Sequence, residues 1–248
     1  MKNSLITLLL AVVFVFEMPL QAASKGTVFV TGANRGMGLE YAKQYQAKGY
    51  NVIATARNPA SADVLNALGV TVLQLDVTDA ESVANMAKAV GDQPIDILVN
   101  NAGYFDRADV TLDKLDFDTF ERTLAINTTG PLRVIQALID NVLKSSEKKV
   151  VNMSSGLGSI ANSNGRWYSY RSSKTALNQV NKILSEEFKS QGATFVVVHP
   201  GWVRTDMGGA NATYSPQESI TSLIAEIEKL TPKDTGRFFD LKGRKIDW

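Results

Sequence analysis

Tyr170 and Lys174 stand four residues apart, at the edge of the stretch Ser172–Gln191 whose pattern predicts a helix. That spacing puts them on one helix face. Tyrosine, with an ordinary pKa of about 10, does little acid–base work at neutral pH by itself. A neighbouring ammonium favours the phenolate and brings the pKa down. Such a pair can give a proton to a carbonyl oxygen being reduced, or take one from an alcohol being oxidised. Alone, the spacing is an ordinary surface motif. Tyr168 is excluded as its tyrosine because Ser172 stands four residues on. Upstream, Ser154 and Ser155 end a predicted strand ahead of Gly156 and Gly158, and a hydroxyl there could hold a substrate oxygen beside the phenol. Asn127 interrupts the apolar stretch Leu124–Gly130. A buried amide needs partners, so it either caps backbone or orders a water chain.

A second set of residues suits a phosphate. Thr31-Gly32-Ala33-Asn34-Arg35-Gly36-Met37-Gly38 follows a predicted strand and opens a predicted helix. Gly32 allows the tight turn, Gly36 lets backbone approach a pyrophosphate, and Gly38 permits close helix packing. The helix N-terminus offers free N–H groups and a positive dipole end. The spacing is G-xxx-G-x-G rather than the commoner G-x-G-xx-G. A free ribose 2′-hydroxyl calls for an acid at the end of the second strand. Here the run is Ala54-Thr55-Ala56-Arg57, with no acid. Arg57, joined by Arg35, suits a 2′-phosphate instead, since guanidinium groups bind phosphate bidentately. NADP(H) is therefore favoured over NAD(H).

The elements that must position these groups are legible as alternation. Thr27–Val30, Asn51–Thr55, Thr71–Leu75, Ile95–Val99, Lys149–Met153 and Thr194–Val198 are β-branched and nearly continuously apolar. Strands buried on both faces read that way. Helical stretches lie between them at Met37–Lys48, Ala80–Val90, Pro131–Ser145 and Ser172–Gln191, with another near Pro216–Leu230. Pro131 suits a first helical turn, and Gly49 and Gly192 suit left-handed helix ends. The expected fold is α/β, a single-domain doubly wound parallel sheet with helices on both faces. Gly201–Thr213 lacks periodicity and reads as a loop or lid.

Composition narrows the chemistry further. The chain of 248 residues has no cysteine, one histidine (His199) and a formal charge of +1. Thiolate catalysis, disulfides and Cys- or His-rich metal sites are excluded, and nothing favours nucleic acid. His199, at a strand end, reads as a structural polar group. Tyr104, Phe105 and Trp202 suit either a substrate pocket or packing. Residues 1–24 differ in kind: Lys2, an apolar run from Leu5 to Phe16, then Ala22-Ala23-Ser24. This is a signal-peptide pattern, too short for a comfortable span, with a true start at Met18 as the alternative. Membrane contact, if any, falls to residues 5–16, and the catalytic domain runs 25–248. Export would part an enzyme from its NADP(H), so a cytoplasmic location is expected.

Thr31–Gly38, Asp76, Asn100-Asn101-Ala102-Gly103, Asn127, Ser155, Tyr170-xxx-Lys174 and Pro200-Gly201-xxx-Thr205 occur in that order. Jointly they resemble the short-chain dehydrogenase/reductase superfamily, in its compact NADP-preferring branch. Val151–Ile160, Tyr168–Leu177 and His199–Gly208 look most like the C-factor, sniffer and carbonyl-reductase group. The resemblance implies that Gly32, Asn34, Arg35, Gly36, Met37 and Gly38 cradle the pyrophosphate end of the cofactor. It implies that Asp76 and Val77 meet the adenine, and that Asn100, Ala102, Gly103 and Pro200 line the cofactor. Val203 and Thr205 would fix the carboxamide. Ser155 would orient a carbonyl, Tyr170 would give the proton, Lys174 would bind the ribose and depress the tyrosine, and Asn127 would hold a relay water. The substrate would be a small carbonyl or alcohol, and the assembly a homodimer or homotetramer. The gap from Ser155 to Tyr170, filled by Asn162-Ser163-Asn164-Gly165, exceeds that of many members and leaves Ser154 in competition with Ser155. Nucleotide-sugar enzymes with the same pair have another glycine spacing and a longer C-terminal domain. A signalling protein that keeps the cofactor site is the alternative function.

Overall fold

Val28 and Val30 pack into one apolar cluster while Phe29 between them packs into another. That alternation, repeated along each central strand, makes two cores from one sheet. In a computed structural model, which describes residues 24–248 apart from Asp109, seven strands form it. They are β1 (Thr27–Val30), β2 (Asn51–Ala56), β3 (Thr71–Gln74), β4 (Ile97–Asn100), β5 (Lys149–Met153), β6 (Thr194–His199) and β7 (Phe238–Asp240). All pairings are parallel, in the order β3-β2-β1-β4-β5-β6-β7. Among the described residues the seven α-helices are α1 (Gly36–Ala47), α2 (Asp63–Asn66), α3 (Ala80–Val90), α4 (Phe117–Leu124), α5 (Gly130–Lys144), α6 (Tyr168–Glu187) and α7 (Pro216–Lys229). Tyr41 and Tyr45 of α1 and Ile220 and Ile224 of α7 fill the first core. Met86 of α3, Leu138 of α5 and Leu184 of α6 fill the second. The expected doubly wound parallel sheet is the fold observed.

The chain runs outward from β1 to β3 and returns to β4 on β1's other side. At such a reversal the loops leaving β1 and β4 diverge and open a crevice at the strands' C-terminal ends. The glycine loop leaves β1 there, and Asn101–Gly103 leaves β4. Two elements went unread in the sequence. β7 has three residues, too few to show a period. Helix α4 is short and carries Asp118, Glu121 and Arg122, though Asp116 caps it by accepting from the Thr119 N–H at 2.9 Å. A π turn, Ala125–Thr129, joins α4 to α5 and widens the helix at Asn127. Helix α6 starts four residues earlier than expected, so Tyr170 lies within its first turn. The expected leader, residues 1–24, lies outside the described residues except for Ser24. No described helix is long and apolar enough to cross a membrane.

The sheet centre is pinned to α6 by a buried amide ladder. Asn100 Nδ2 donates to Asn152 Oδ1 at 2.9 Å, and Asn152 Nδ2 donates to Asn181 Oδ1 at 2.9 Å. Asn152 and Asn181 are wholly buried. Asn152→Ala leaves Asn100 Nδ2 and Asn181 Oδ1 without partners. Each stranded group costs about 1–3 kcal/mol. Denaturant unfolding is expected to show a loss of about 2–4 kcal/mol, against about 0.5 kcal/mol for an ordinary surface change.

Candidate active site

Helix α6 has an unusual buried face. Ser169, Ser173, Lys174, Asn178, Asn181 and Ser185 are buried along it, with Leu177 and Leu184 among them. Buried polar groups must be matched, and the partners are the ends of β5 and of the π turn. Lys174 Nζ donates to the Met153 carbonyl at 2.8 Å. Ser154 Oγ donates to Asn178 Oδ1 at 2.6 Å, and Asn178 Nδ2 donates to the Gly158 carbonyl at 3.2 Å. Asn127 Nδ2 donates to Ser173 Oγ at 3.0 Å, and Thr128 Oγ1 donates to the Ser173 carbonyl at 2.8 Å. The loop Gly156–Gly158 can lie this close to α6 because Gly158 has no Cβ. One built there would sit 2.9 Å from Lys174 Cβ and 3.0 Å from its carbonyl carbon.

This scaffold separates the two serines. Ser154 lines the same cleft, but its hydroxyl donates to Asn178 Oδ1. Ser155 shares a hydrogen bond with the Tyr170 phenol. Ser155, Tyr170 and Lys174 line one cleft of about 620 Å³, together with Gly103, Val203 and Thr205. Of the two serines, Ser155 is the one whose hydroxyl faces the Tyr170 phenol, while that of Ser154 is taken up by Asn178. Phe105 packs at 4.6 Å between ring centroids on Tyr170, and at 5.8 Å edge-on to Trp167. Phe105 and Trp202 line the cleft, whereas Tyr104 lies outside it beneath the Arg122 guanidinium, 4.6 Å from its ring. Tyr168 is exposed and takes no part in the cleft.

The electrostatics correct one expectation. Lys174 Nζ is 5.7 Å from the Tyr170 ring centroid, and the phenol is not depressed. Burial pushes it up to about 12, with the Ser155 hydrogen bond pulling the other way. Burial likewise pushes Lys174 down to about 8. Desolvation disfavours both charged forms, and in the chain alone it outweighs their mutual attraction. Burial also lowers His199, opposed by the Asp240 carboxylate. Asn127 clamps backbone: Oδ1 accepts from the Tyr104 N–H at 2.7 Å and Nδ2 donates to the Tyr104 carbonyl at 2.8 Å. That clamp shapes the loop after β4, where a Cβ on Gly103 would lie 3.5 Å from Asn127 Oδ1 and 3.9 Å from Lys174 Nζ.

At the other end, backbone alone surrounds the crevice. Gly32 and Gly36 have φ of +64° and +56°, a region that side chains resist. A Cβ on Gly38 would fall 2.3 Å from the Gly32 carbonyl oxygen and 2.5 Å from Asn101 Nδ2. Asn101 was passed over as a site residue, yet it holds the loop. Its Nδ2 donates to the Thr31 and Gly32 carbonyls at 3.0 and 3.1 Å, and its own N–H donates to Thr31 Oγ1 at 2.9 Å. The N–H of Ala102 donates to the same hydroxyl at 3.0 Å. The signal was available in the paired Asn100-Asn101, of which one must face the loop. Met37 of α1 and Pro200 after β6 line the same cleft as Tyr170. Exposed Asn34 sits in the loop, and exposed Arg35 reaches Asp206 at 3.1 Å. Arg57 is exposed beyond β2, and its charge helps lower Asp76, whose carboxylate chiefly accepts from Thr78 Oγ1 at 2.6 Å. Val77, next to it, is buried against Gly130. Asn100 Oδ1, at the end of β4, is buried without a hydrogen-bond partner among the described residues. A glycine cradle and two exposed arginines, one of them paired only with Asp206 at the surface, fit a dinucleotide phosphate end.

Known proteins resemble much or nearly all of the chain. The 1-hydroxy-2-glutathionyl-2-methyl-3-butene dehydrogenase of Rhodococcus sp. (strain AD45) is 34% identical, covering 90% of this chain and 99% of that one. The C-signal protein of Myxococcus xanthus is 38% identical, covering 62% of this chain and 93% of its own length. The crystal structure of NADPH-bound carbonyl reductase from chicken fatty liver superposes with a TM-score of 0.85 at 31% identity, covering 91% of this chain and all of that one. The family model for short chain dehydrogenase matches residues 26–215. The chain belongs to the short-chain dehydrogenase/reductase family.

Proposed function

We propose that the chain is an NADP(H)-dependent oxidoreductase that reduces a carbonyl of an aldehyde, ketone or quinone to an alcohol, or runs the reverse. The observation that supports this most is the convergence of Ser155, Tyr170 and Lys174 in one cleft that opens beside the glycine cradle. The nicotinamide, when bound, supplies the hydride; the protein aims it. Gly32, Asn34, Gly36, Met37 and Gly38 hold the pyrophosphate end, Asp76 and Val77 the adenine. Asn100, Ala102, Gly103, Pro200, Val203 and Thr205 hold the nicotinamide half. Arg35 and Arg57 meet the 2′-phosphate, Arg35 turning from an Asp206 contact so exposed that little is lost. The chicken-liver neighbour is itself NADPH-bound.

In this reading the substrate oxygen accepts hydrogen bonds from Ser155 and from the Tyr170 phenol. Tyr170 releases its proton to that oxygen as negative charge grows there. With a pKa near 12, the phenol is fully protonated at neutral pH, as a proton donor must be. Lys174 keeps an ammonium beside the emerging phenolate and returns the proton, with Asn127 ordering the path beyond it. The domain works at 25–248 in the cytoplasm, as a homodimer or homotetramer. Likeness to the C-signal protein supports a second reading, a cofactor-binding signalling protein; the intact Ser155, Tyr170 and Lys174 favour the enzyme.

Three outcomes are expected. Tyr170→Phe keeps NADPH binding within about threefold while carbonyl turnover falls by about 10² or more, the usual worth of a positioned proton donor. Wild-type turnover in that variant contradicts the mechanism. Rising pH removes the Lys174 proton, so kcat/KM for reduction is level at neutral pH and falls along a limb centred near 8. A profile level to about pH 10 rejects a protonated Lys174 as the active form. Arg57→Ala raises the Kd for NADPH by about tenfold or more and leaves NADH nearly unchanged, as loss of one phosphate contact would. Equal losses for both remove the case for NADP.

A further inference from the structure

Among the described residues, the charged groups lining the catalytic cleft are Arg107, Arg166 and Lys174, with neither aspartate nor glutamate beside them. Lys174 lies at the base, committed to the Met153 carbonyl. The two arginines are exposed at the mouth, on the loops after β4 and before α6, while the phosphate-binding arginines Arg35 and Arg57 belong to the loops after β1 and β2. Neither Arg107 nor Arg166 has a carboxylate partner among the described residues. Of the described acids nearby, Asp106 accepts from the Tyr104 hydroxyl and the Ala108 N–H, and Asp206, which Arg35 leaves when it meets the 2′-phosphate, is not among the residues lining the cleft.

Both arginines are also held in place. Arg107 Nη2 donates to the Met207 carbonyl at 2.9 Å, across the cleft mouth. Arg166 and Trp167 have φ of +67° and +55°, directly after Gly165 at +81°. Two successive side-chain-bearing residues in this region carry backbone strain, and such strain persists only where surroundings enforce it. Here the Trp167 N–H donates to the Val110 carbonyl at 3.3 Å, and the Trp167 ring meets Phe105 edge-on. The result sets the Arg166 guanidinium carbon 5.4 Å over the Trp167 ring at the rim. Below the rim, Phe105, Trp167 and Tyr170 make an aromatic wall.

We infer that the preferred substrates are carbonyl compounds with a flat apolar body and an anionic group, such as a carboxylate, at the end away from the reacting carbon. The aromatic wall takes the body, and Arg107 and Arg166 take the anion by charge-assisted hydrogen bonds. This rests on the carbonyl-reductase reading and adds the substrate class to it.

The test compares 4-carboxybenzaldehyde with its methyl ester, which differ in charge and share the reacting aldehyde. With NADPH at low ionic strength, the acid is expected to show a kcat/KM about tenfold or more above the ester, mostly through KM. The ratio shrinks as salt screens the attraction. In the double variant Arg107→Gln/Arg166→Gln the ratio falls to about parity, and in Arg107→Lys/Arg166→Lys part of it returns, since charge stays and the planar fork is lost. Parity in the unaltered enzyme overturns the inference and leaves the carbonyl-reductase reading standing. So does a preference that survives the double glutamine variant. Failure to turn over any aldehyde, ketone or quinone in a broad panel removes both.

Discussion

The hydrogen bond from the Lys174 ammonium to the Met153 carbonyl joins the two elements on which the site depends. Met153 ends β5, and Ser155 follows two residues later. Tyr170 stands one helical turn before Lys174 on α6. A single contact thus sets the distance between the substrate-facing hydroxyl and the phenol. It is a costly contact: burying an ammonium is unfavourable, and the lowering of Lys174 to about 8 records that cost. The fold meets it with a polar seam. Asn178, Asn181 and Ser173 each find partners across the same face, and Gly158 lets the loop close over them. Packing of this seam, rather than an apolar stripe, docks the catalytic helix.

The crevice at the sheet reversal divides by chemistry. Its phosphate end is made of backbone: glycines at positive φ, braced by Asn101 and the Thr31 hydroxyl. Backbone N–H groups suit an invariant anion, since they hold position without rotamer freedom. The substrate end is made of side chains on loops, with aromatic rings below and arginines above. Loop side chains are where one chemistry acquires different substrates. The fixed and variable parts meet at Tyr170, which touches Ser155 on one side and Phe105 on the other.

Much of this was legible in the chain. Strands buried on both faces announce themselves as continuous β-branched runs, so six of the seven could be placed from pattern alone. β7 escaped because three residues hold no period, and α4 because its charges mask a short apolar face. Of the site, Tyr170 and Lys174 were readable through helical spacing and the glycine loop through its strand–turn–helix context. The choice between Ser154 and Ser155 was not, because it depends on Asn178, 24 residues on, occupying one of them. The stripe of Asn178, Asn181 and Ser185 below Lys174 was a visible signal that went unused. Spacing shows the proximity of a cation to the Tyr170 phenol, whereas the burial that pushes the phenol up depends on what folds over the pair.

The most direct test of the central claim follows a label through one turnover. Enzyme mixed with NADPH carrying deuterium at the transferable C4 position and with a reducible aldehyde should yield one deuterium on the carbinol carbon per NADPH oxidised. The same mixture in deuterated water should run slower, because the Tyr170 proton moves in the same step. NADPH oxidation without label at that carbon, or label transfer at an unaltered rate when Tyr170 is phenylalanine, would contradict the account.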